Sequence, residues 1–377
     1  MNYDDTALEL HKKYRGKITM KLRDESELSR DKLSNYYTPG VAAVSRAIAE
    51  DPAKLPEYTW TNNLVAVISD GSAVLGLGDI GPRGSMPVME GKALLFKQFA
   101  DIDSVPITLD VHTPEEIIAT VKAIAPSFGG INLEDIAAPQ CFVIEEKLKE
   151  ELDIPVFHDD QHGTAIVVLA GLINAMKVVE KQLQETKIVV IGAGAAGTAI
   201  IKLLHAYGVR NILAVDSKGI VSETRQDLNS EKLHLLEYLH TETDGTLADA
   251  LHDADVFIGV SKPGLLTQDM IKTMADKSVI FAMSNPTPEI MPDLAKAAGA
   301  TVVATGRSDF PNQVNNALVF PGIFRGALDN KVKKITTDHK LAAATALAGL
   351  VDAPSADEII PSVFDSRIVA AIANQIR

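Results

Sequence analysis

Apolar positions along this chain fall into two successive rhythms. From Leu64 onward, short continuous apolar runs (LVAVIS, VPITLD, GGINL, IPVF) alternate with longer amphipathic stretches (KALLFKQFA, PEEIIATVKAIA, QCFVIEEKLKEEL). Runs apolar on both faces and separated by helices predict strands of a parallel sheet covered on both sides. A helix from Gly163 to about Val179 follows, and then the polar stretch KQLQETK. A second series (KIVVIG, NILAVD, DVFIGVS, SVIFAMS, TVVATG) repeats the strand–helix rhythm of a doubly wound sheet. Before Leu64 the pattern is polar and helical, over Thr6 to Tyr14 and Glu25 to Leu33, the latter ended by NYYTPG. After Phe324 the chain is alanine-rich and helical. The expected architecture is α/β in two domains: helices plus a parallel sheet over residues 1–162, then a doubly wound unit with C-terminal helices over residues 163–377.

Composition narrows what these domains do. The 377 residues are 46% apolar, ordinary for a globular protein with real cores, and the longest apolar stretch, Ala165 to Met176, is too short for a bilayer. The formal net charge of −14 argues against nucleic acid and anionic membranes, but not against an anionic small molecule met by locally concentrated positive charge. MNYDDTALEL has no basic start followed by an apolar core, and Cys141 is the only cysteine. Both fit a reducing cytoplasm without a secretion signal.

KIVVIGAGAAG sets Gly192, Gly194 and Gly197 at GxGxxG spacing between an apolar run and the helix AGTAIIKLLHAYG. The glycines serve, in turn, a tight turn, close pyrophosphate approach and helix–strand packing, which makes the second domain Rossmann-type. Asp216 ends the next apolar run, where an acid accepts a hydrogen bond from a ribose hydroxyl and repels a 2′-phosphate. That favours NAD, while Lys218 and Arg225 nearby leave NADP open.

Two acidic pairs, Glu134–Asp135 and Asp159–Asp160, stand at the ends of strand-like runs. Clustered carboxylates repel unless neutralised, and a set of hard oxygen donors suits Mg²⁺ or Mn²⁺. The plainer alternative, one acid in each pair capping the next helix, accounts for one acid at each place and not two. Tyr37, in YYTPG, lies on a rigid turn that would hold a phenol toward a cleft. Lys92, read at a helix start, opposes the dipole and is expected to have a depressed pKa, as a general base requires. Taken singly, each is ordinary as a surface or packing residue.

In order, YYTPGVAAVSRAI, VISDGSAVLGLGDIGPRGSMPVMEGKALLFKQFA, NLEDIAAPQCF, PVFHDDQHGTAIVVLAGL, VVIGAGAAGTAI, FAMSNPTPEI and ATGRSDFPNQVNNALVFPGIFRGAL resemble the short bacterial malic enzymes from about Tyr36 to Leu328. The resemblance implies oxidative decarboxylation of (S)-malate to pyruvate and CO₂ with NAD(P) and a divalent metal. It assigns Tyr37 as general acid, Lys92 as general base and Glu134, Asp135 and Asp160 as metal ligands. Asp159 supports the proton relay, Asn285 binds substrate and the nicotinamide ribose region, and Asn316 binds substrate. The chain ends where longer bacterial relatives carry an acetyltransferase-like module, so that module is expected to be absent. Larger relatives have an arginine where this chain has Ala73, which leaves one malate carboxylate to another cation, with Arg23 and Arg83 the candidates. Rival readings are a malolactic enzyme, which gives lactate with NAD retained, a non-catalytic nicotinamide sensor and a metal-free amino-acid dehydrogenase. A homodimer or higher homo-oligomer is the expected assembly.

Overall fold

The computed structural model describes residues 3–74, 76–240, 242 and 244–377. Two parallel sheets form around the two predicted series. The first has the order β2-β1-β3-β4, with β1 Leu64–Ser69, β2 Asp103–Thr108, β3 Gly130–Leu133 and β4 Val156–His158. The inner strand β1 is buried throughout and the edge strand β2 only partly, so VPITLD pairs two residues earlier than its apolar pattern suggested. The second sheet has the order β10-β9-β8-β5-β6-β7. Its strands are β5 Ile188–Ile191, β6 Ile212–Asp216, β7 Gly219–Ile220, β8 Val256–Gly259, β9 Val279–Ala282 and β10 Val302–Thr305. This is the doubly wound dinucleotide-binding order, except that the short β7 pairs antiparallel with β6.

Each sheet packs a core of its own on one face, around Ile68 and Ile131 in the first and Phe257 and Ile280 in the second, and a third core is shared between them. One cluster joins Val65, Val67, Phe96 and Phe157 of the first half to Ile188, Val190, Ile258 and the C-terminal Phe320 and Phe324. Phe96 meets Phe320 edge-on at 4.6 Å, and Phe157 meets Phe324 at 6.0 Å, geometries that aromatic quadrupoles favour. Between the halves runs the helix Asp159–Val179, which starts four residues earlier than the sequence pattern indicated, directly off β4. A division at 162/163 therefore falls in its first turns. The helix has the length and hydropathy of a membrane span, but 72% of its apolar window is buried inside the protein, so it is a core helix. Asn174, which interrupts its apolar stretch Ala165–Met176, is fully buried and donates to the carbonyls of Ala348 and Ile359 at 2.9 and 3.0 Å, so burial there leaves no unmet donor.

The N-terminal helices Tyr3–Tyr14, Arg30–Tyr36 and Val41–Glu50 bury no residue. The second starts five residues later than expected because Ser29 supplies the cap, its hydroxyl accepting from the Lys32 N–H at 3.1 Å. Tyr3, Leu8, Leu33, Tyr36, Tyr37 and Trp60 are all exposed, a concentration of apolar surface unlike the rest of the chain.

Candidate active site at the strand ends

Parallel strands leave their carboxyl ends free to carry functional groups, and the acids gather there. Glu134 and Asp135 follow β3, and Asp159 and Asp160 follow β4, its immediate neighbour. Ligand oxygens of Glu134, Asp135 and Asp160 lie within 4.8 Å of one another, and Glu134 and Asp135 are only 3% and 4% exposed. Asp135 has φ 54°, in the left-handed region that aspartate tolerates better than most residues, and its N–H donates to Asp160 at 2.7 Å. The capping alternative fails on geometry. The helix after Glu134–Asp135 begins only at Gln140, while the helix at Asp159 is entered from His158 without a side-chain cap.

Lys92 completes the cluster. It projects from the helix Gly81–Ala100, and its Nζ lies 2.7 Å from Glu134 and 2.6 Å from Asp159, above the Phe320 ring at 4.5 Å. The expectation of a helix start is overturned: Gly81 and Pro82 begin this helix eleven residues upstream, so Lys92 is mid-helix and free of the terminal dipole. The expected depressed pKa is overturned too. Burial favours the neutral amine, but Asp159 and Glu134 outweigh it, and the proton is held more tightly than on an ordinary lysine. Burial likewise pushes Asp159 to about 7, against the pull of Lys92, and pushes Glu134 to about 7 with help from the charge of Asp160. One ammonium among four carboxylates leaves excess negative charge. The donor set of three converging carboxylates suits a hard divalent cation, so the residues fit the group.

Sequence reasoning missed several supports. Asn132 donates to Glu134 at 3.0 Å from within β3. Gly163 leaves room for Asp159: a Cβ there would come 1.8 Å from Oδ1 and 3.1 Å from the Asn316 Cβ. Asn316 and Asp159 thus both pack against Gly163. Asp159 Oδ1, packed against Gly163, is a buried acceptor without a hydrogen-bond partner. The glycine inside HDDQHGTA was the available signal, since glycine in a helix marks close approach.

The dinucleotide loop follows its predicted geometry. Gly192 has φ 106° and lies under the Val260 carbonyl, where a Cβ would clash at 2.6 Å. A Cβ at Gly197 would come 1.8 Å from the Gly192 carbonyl, while the Cβ side of Gly194, which opens the helix Ala195–Tyr207, is empty. Asp216 ends β6 as expected, but its oxygens are already engaged by Arg225 at 2.8 Å and Lys232 at 2.5 Å. Lys218 gives Asp216 its backbone N–H at 2.8 Å and its ammonium to Asp227 at 2.7 Å. Asn285 follows β9, its amide beside Gly306 and its carbonyl against Gly76 of the first half. Behind this loop the fully buried Glu289 accepts the Ser261 and Ser284 N–H groups, each at 3.0 Å, tying together the turns after β8 and β9.

Three expected participants do not join the cluster. Tyr37 sits 67% exposed at the end of Arg30–Tyr36, and no hydrogen bond links its phenol to Lys92 or the acids. Arg23 lies near Asn62 and Asp103, and Asp103 pairs in register with Leu64 at the opposite end of β1 from Glu134, about 16 Å away at strand rise. Arg83 is exposed nine residues before Lys92, half a turn round the helix and about 13 Å along it. Neither arginine replaces the missing one from this chain's own surface.

Comparison with known proteins places the chain in a family. The malic enzyme NAD-binding domain matches residues 161–376, and the malic enzyme N-terminal domain matches residues 15–117 and 112–149. A bifunctional malic/malolactic enzyme of Bacillus subtilis is 54% identical across 100% of this chain and 92% of its own length. An NAD-dependent malic enzyme of Geobacillus stearothermophilus is 58% identical across 91% of this chain and 72% of its length. The crystal structure of the NAD-dependent malic enzyme of Thermotoga maritima, 52% identical, superposes with a TM-score of 0.95 over 98% of both chains. With both family domains matched in order around the strand-end acids and the glycine loop, the chain belongs to the malic enzyme family.

Proposed function

We propose that this protein catalyses the oxidative decarboxylation of (S)-malate to pyruvate and CO₂, with NAD preferred over NADP, using Mg²⁺ or Mn²⁺. The observation that carries this reading is Lys92, buried between Glu134 and Asp159 beside three converging carboxylates. When bound, the dication held by Glu134, Asp135 and Asp160 would supply Lewis-acid polarisation and the nicotinamide a hydride acceptor. Charge from that cation opposes the pull of the acids on Lys92, which moves the amine toward the neutral form a base requires. Lys92 then takes the C2 hydroxyl proton, and Asp159 at 2.6 Å receives it in relay. Asn316 and Asn285 orient the substrate, Asn285 also at the nicotinamide ribose, and Tyr37 gives a proton to C3 of the enolate left by decarboxylation. Gly192, Gly194 and Gly197 form the pyrophosphate seat. We assign residues 1–162 to substrate and metal and 163–377 to the dinucleotide. We place the protein in the cytoplasm, consistent with a buried Cys141 thiol whose pKa burial pushes up to about 12. The exposed apolar N-terminal segment is read as the contact surface of a homo-oligomer.

The test is a malate assay with NAD or NADP, with and without Mn²⁺, reading NADH or NADPH, pyruvate and lactate. Mn²⁺-dependent NADH and pyruvate in equal amounts are expected, with Lys92→Ala and Tyr37→Phe each lowering kcat by at least ~10²-fold. Because the Bacillus relative is named malic/malolactic, lactate is the second readout. Lactate without free NADH would replace the proposal with the malolactic reading, and NADH binding without turnover would replace it with a sensor.

A further inference from the structure

Behind the acid cluster, four helices flank an open cleft of about 570 Å³. Its walls come from Gln140–Glu151, the first turns of Asp159–Val179, one side of Ala195–Tyr207 and the start of Thr337–Ala348. Lys149, Lys202, Lys334 and Lys340 all line it. Lys149 is engaged by Glu145 at 2.5 Å, but Lys202, Lys334 and Lys340 make no ion pair among the described residues. In a chain with 50 acids against 36 lysines and arginines, this wall gathers positive charge: Lys340 is partly buried, and Lys202 and Lys334 are exposed beside it, Lys202 over the Tyr238 ring at 5.7 Å, where an anion entering from solvent can reach them. The acids of this wall do not pair with these three. Glu145 is held by Lys149 and by His162 at 2.8 Å, Glu150 pairs with Lys147 at 3.2 Å, and Glu146 is exposed on the rim.

Further features point the same way. The twelve-residue Thr337–Ala348 helix begins at the rim, where Thr336 and Thr337 stand, although its capping box already engages the His339 N–H at 3.2 Å. Lys340 donates to His162 Nδ1 at 3.0 Å, and burial together with the charge of Lys149 lowers its pKa to about 7, so an anion would restore its full charge. Apolar Phe142, Leu203 and Ile335 line the remainder, and the volume exceeds that of a bare ion. We propose that this cleft is a binding site for a small organic phosphate, separate from the malate and dinucleotide sites. Its position gives the occupant a route to the reaction centre. Glu145 bridges the cleft residues Lys149 and His162 to the His158 N–H at 3.0 Å, immediately ahead of Asp159 and Asp160.

The test titrates glycerol 3-phosphate into the NADH-saturated protein, so that the pyrophosphate seat is already filled, and follows binding by calorimetry. Lys202→Ala/Lys334→Ala is the comparison, since both side chains are exposed and neither has a role assigned in the reaction or dinucleotide sites. Saturable, salt-sensitive binding to the wild type is expected, weakened about tenfold or more in the double variant with NADH affinity unchanged. Equal binding by both proteins, or none by the wild type at tens of millimolar, overturns the proposal. This readout needs no turnover, so its failure is distinguishable from failure of the malic reading.

Discussion

At the scale of single residues, the site depends on groups that perform no chemistry themselves. Gly163 is the sharpest case, since any side chain there displaces the Asp159 carboxylate from Lys92. Gly163→Ala is expected to lower kcat about 10²-fold, the usual cost of a misplacement near 1 Å, while leaving NADH binding intact. Unchanged turnover would show that Asp159 can move without consequence. Asp216 presents the opposite situation, a residue whose meaning is changed by its neighbours. Alone it would repel a 2′-phosphate, but Arg225 and Lys232 surround it with two cations. Replacing both by alanine is expected to raise the ratio of NAD to NADP kcat/KM about tenfold or more, because a charge-assisted contact available only to NADP is lost. A falling ratio would mean that the cations serve Asp216 and not the cofactor. Tyr37, Lys92, the four acids and the glycines were all legible as residues. The environment of Lys92 was not, because its pKa depends on Asp159, 67 residues away, and on where its helix begins.

Among the elements, strands were read well and helix starts poorly. Continuous apolar runs identify buried parallel strands with little ambiguity, and β5, β6, β8, β9 and β10 lie within the predicted runs. Helices began where tertiary contacts allowed them to: Gly81–Ala100 extends eleven residues before Lys92 through Pro87, and Asp159–Val179 takes in both acids. The short antiparallel β7 has only two residues, too few for any pattern. Because Asp160 sits in the first turn of a buried helix while Glu134 and Asp135 follow β3, a bound cation links two elements in the folded state only. Mn²⁺ at a hundredfold excess over its Kd is therefore expected to stabilise the protein by about 2.7 kcal/mol, read as a rise in Tm. Asp160→Asn should lose most of that rise, and an undiminished rise would locate the cation elsewhere.

For the whole molecule, the N-terminal segment is the part least explained by a single chain. Its helices bury nothing, and Tyr37 faces outward with no partner at the acid cluster. If a second copy supplies the missing neighbours, Tyr37 completes a site across the contact. Mixing inactive Tyr37→Phe and Lys92→Ala chains is then expected to restore about a quarter of the wild-type sites by random pairing into two-fold dimers. Absence of recovery after exchange of subunits would place both residues on one chain. The pattern of the sequence carried no sign of this, since exposed and buried tyrosines look alike until the packing is known.

Asn174 makes the order of synthesis matter. Every acid, the lysine and the tyrosine lie within the first 160 residues, yet their central helix is fixed by Asn174 bonds to the carbonyls of Ala348 and Ile359. Phe96 and Phe157 likewise wait for Phe320 and Phe324. A nascent chain that has exposed the four acids, Lys92 and Tyr37 has the β1–β4 sheet and that sheet's own core to hold the acids, but not the packing on the other face. Catalytic competence therefore waits until residues 320–359 are in place.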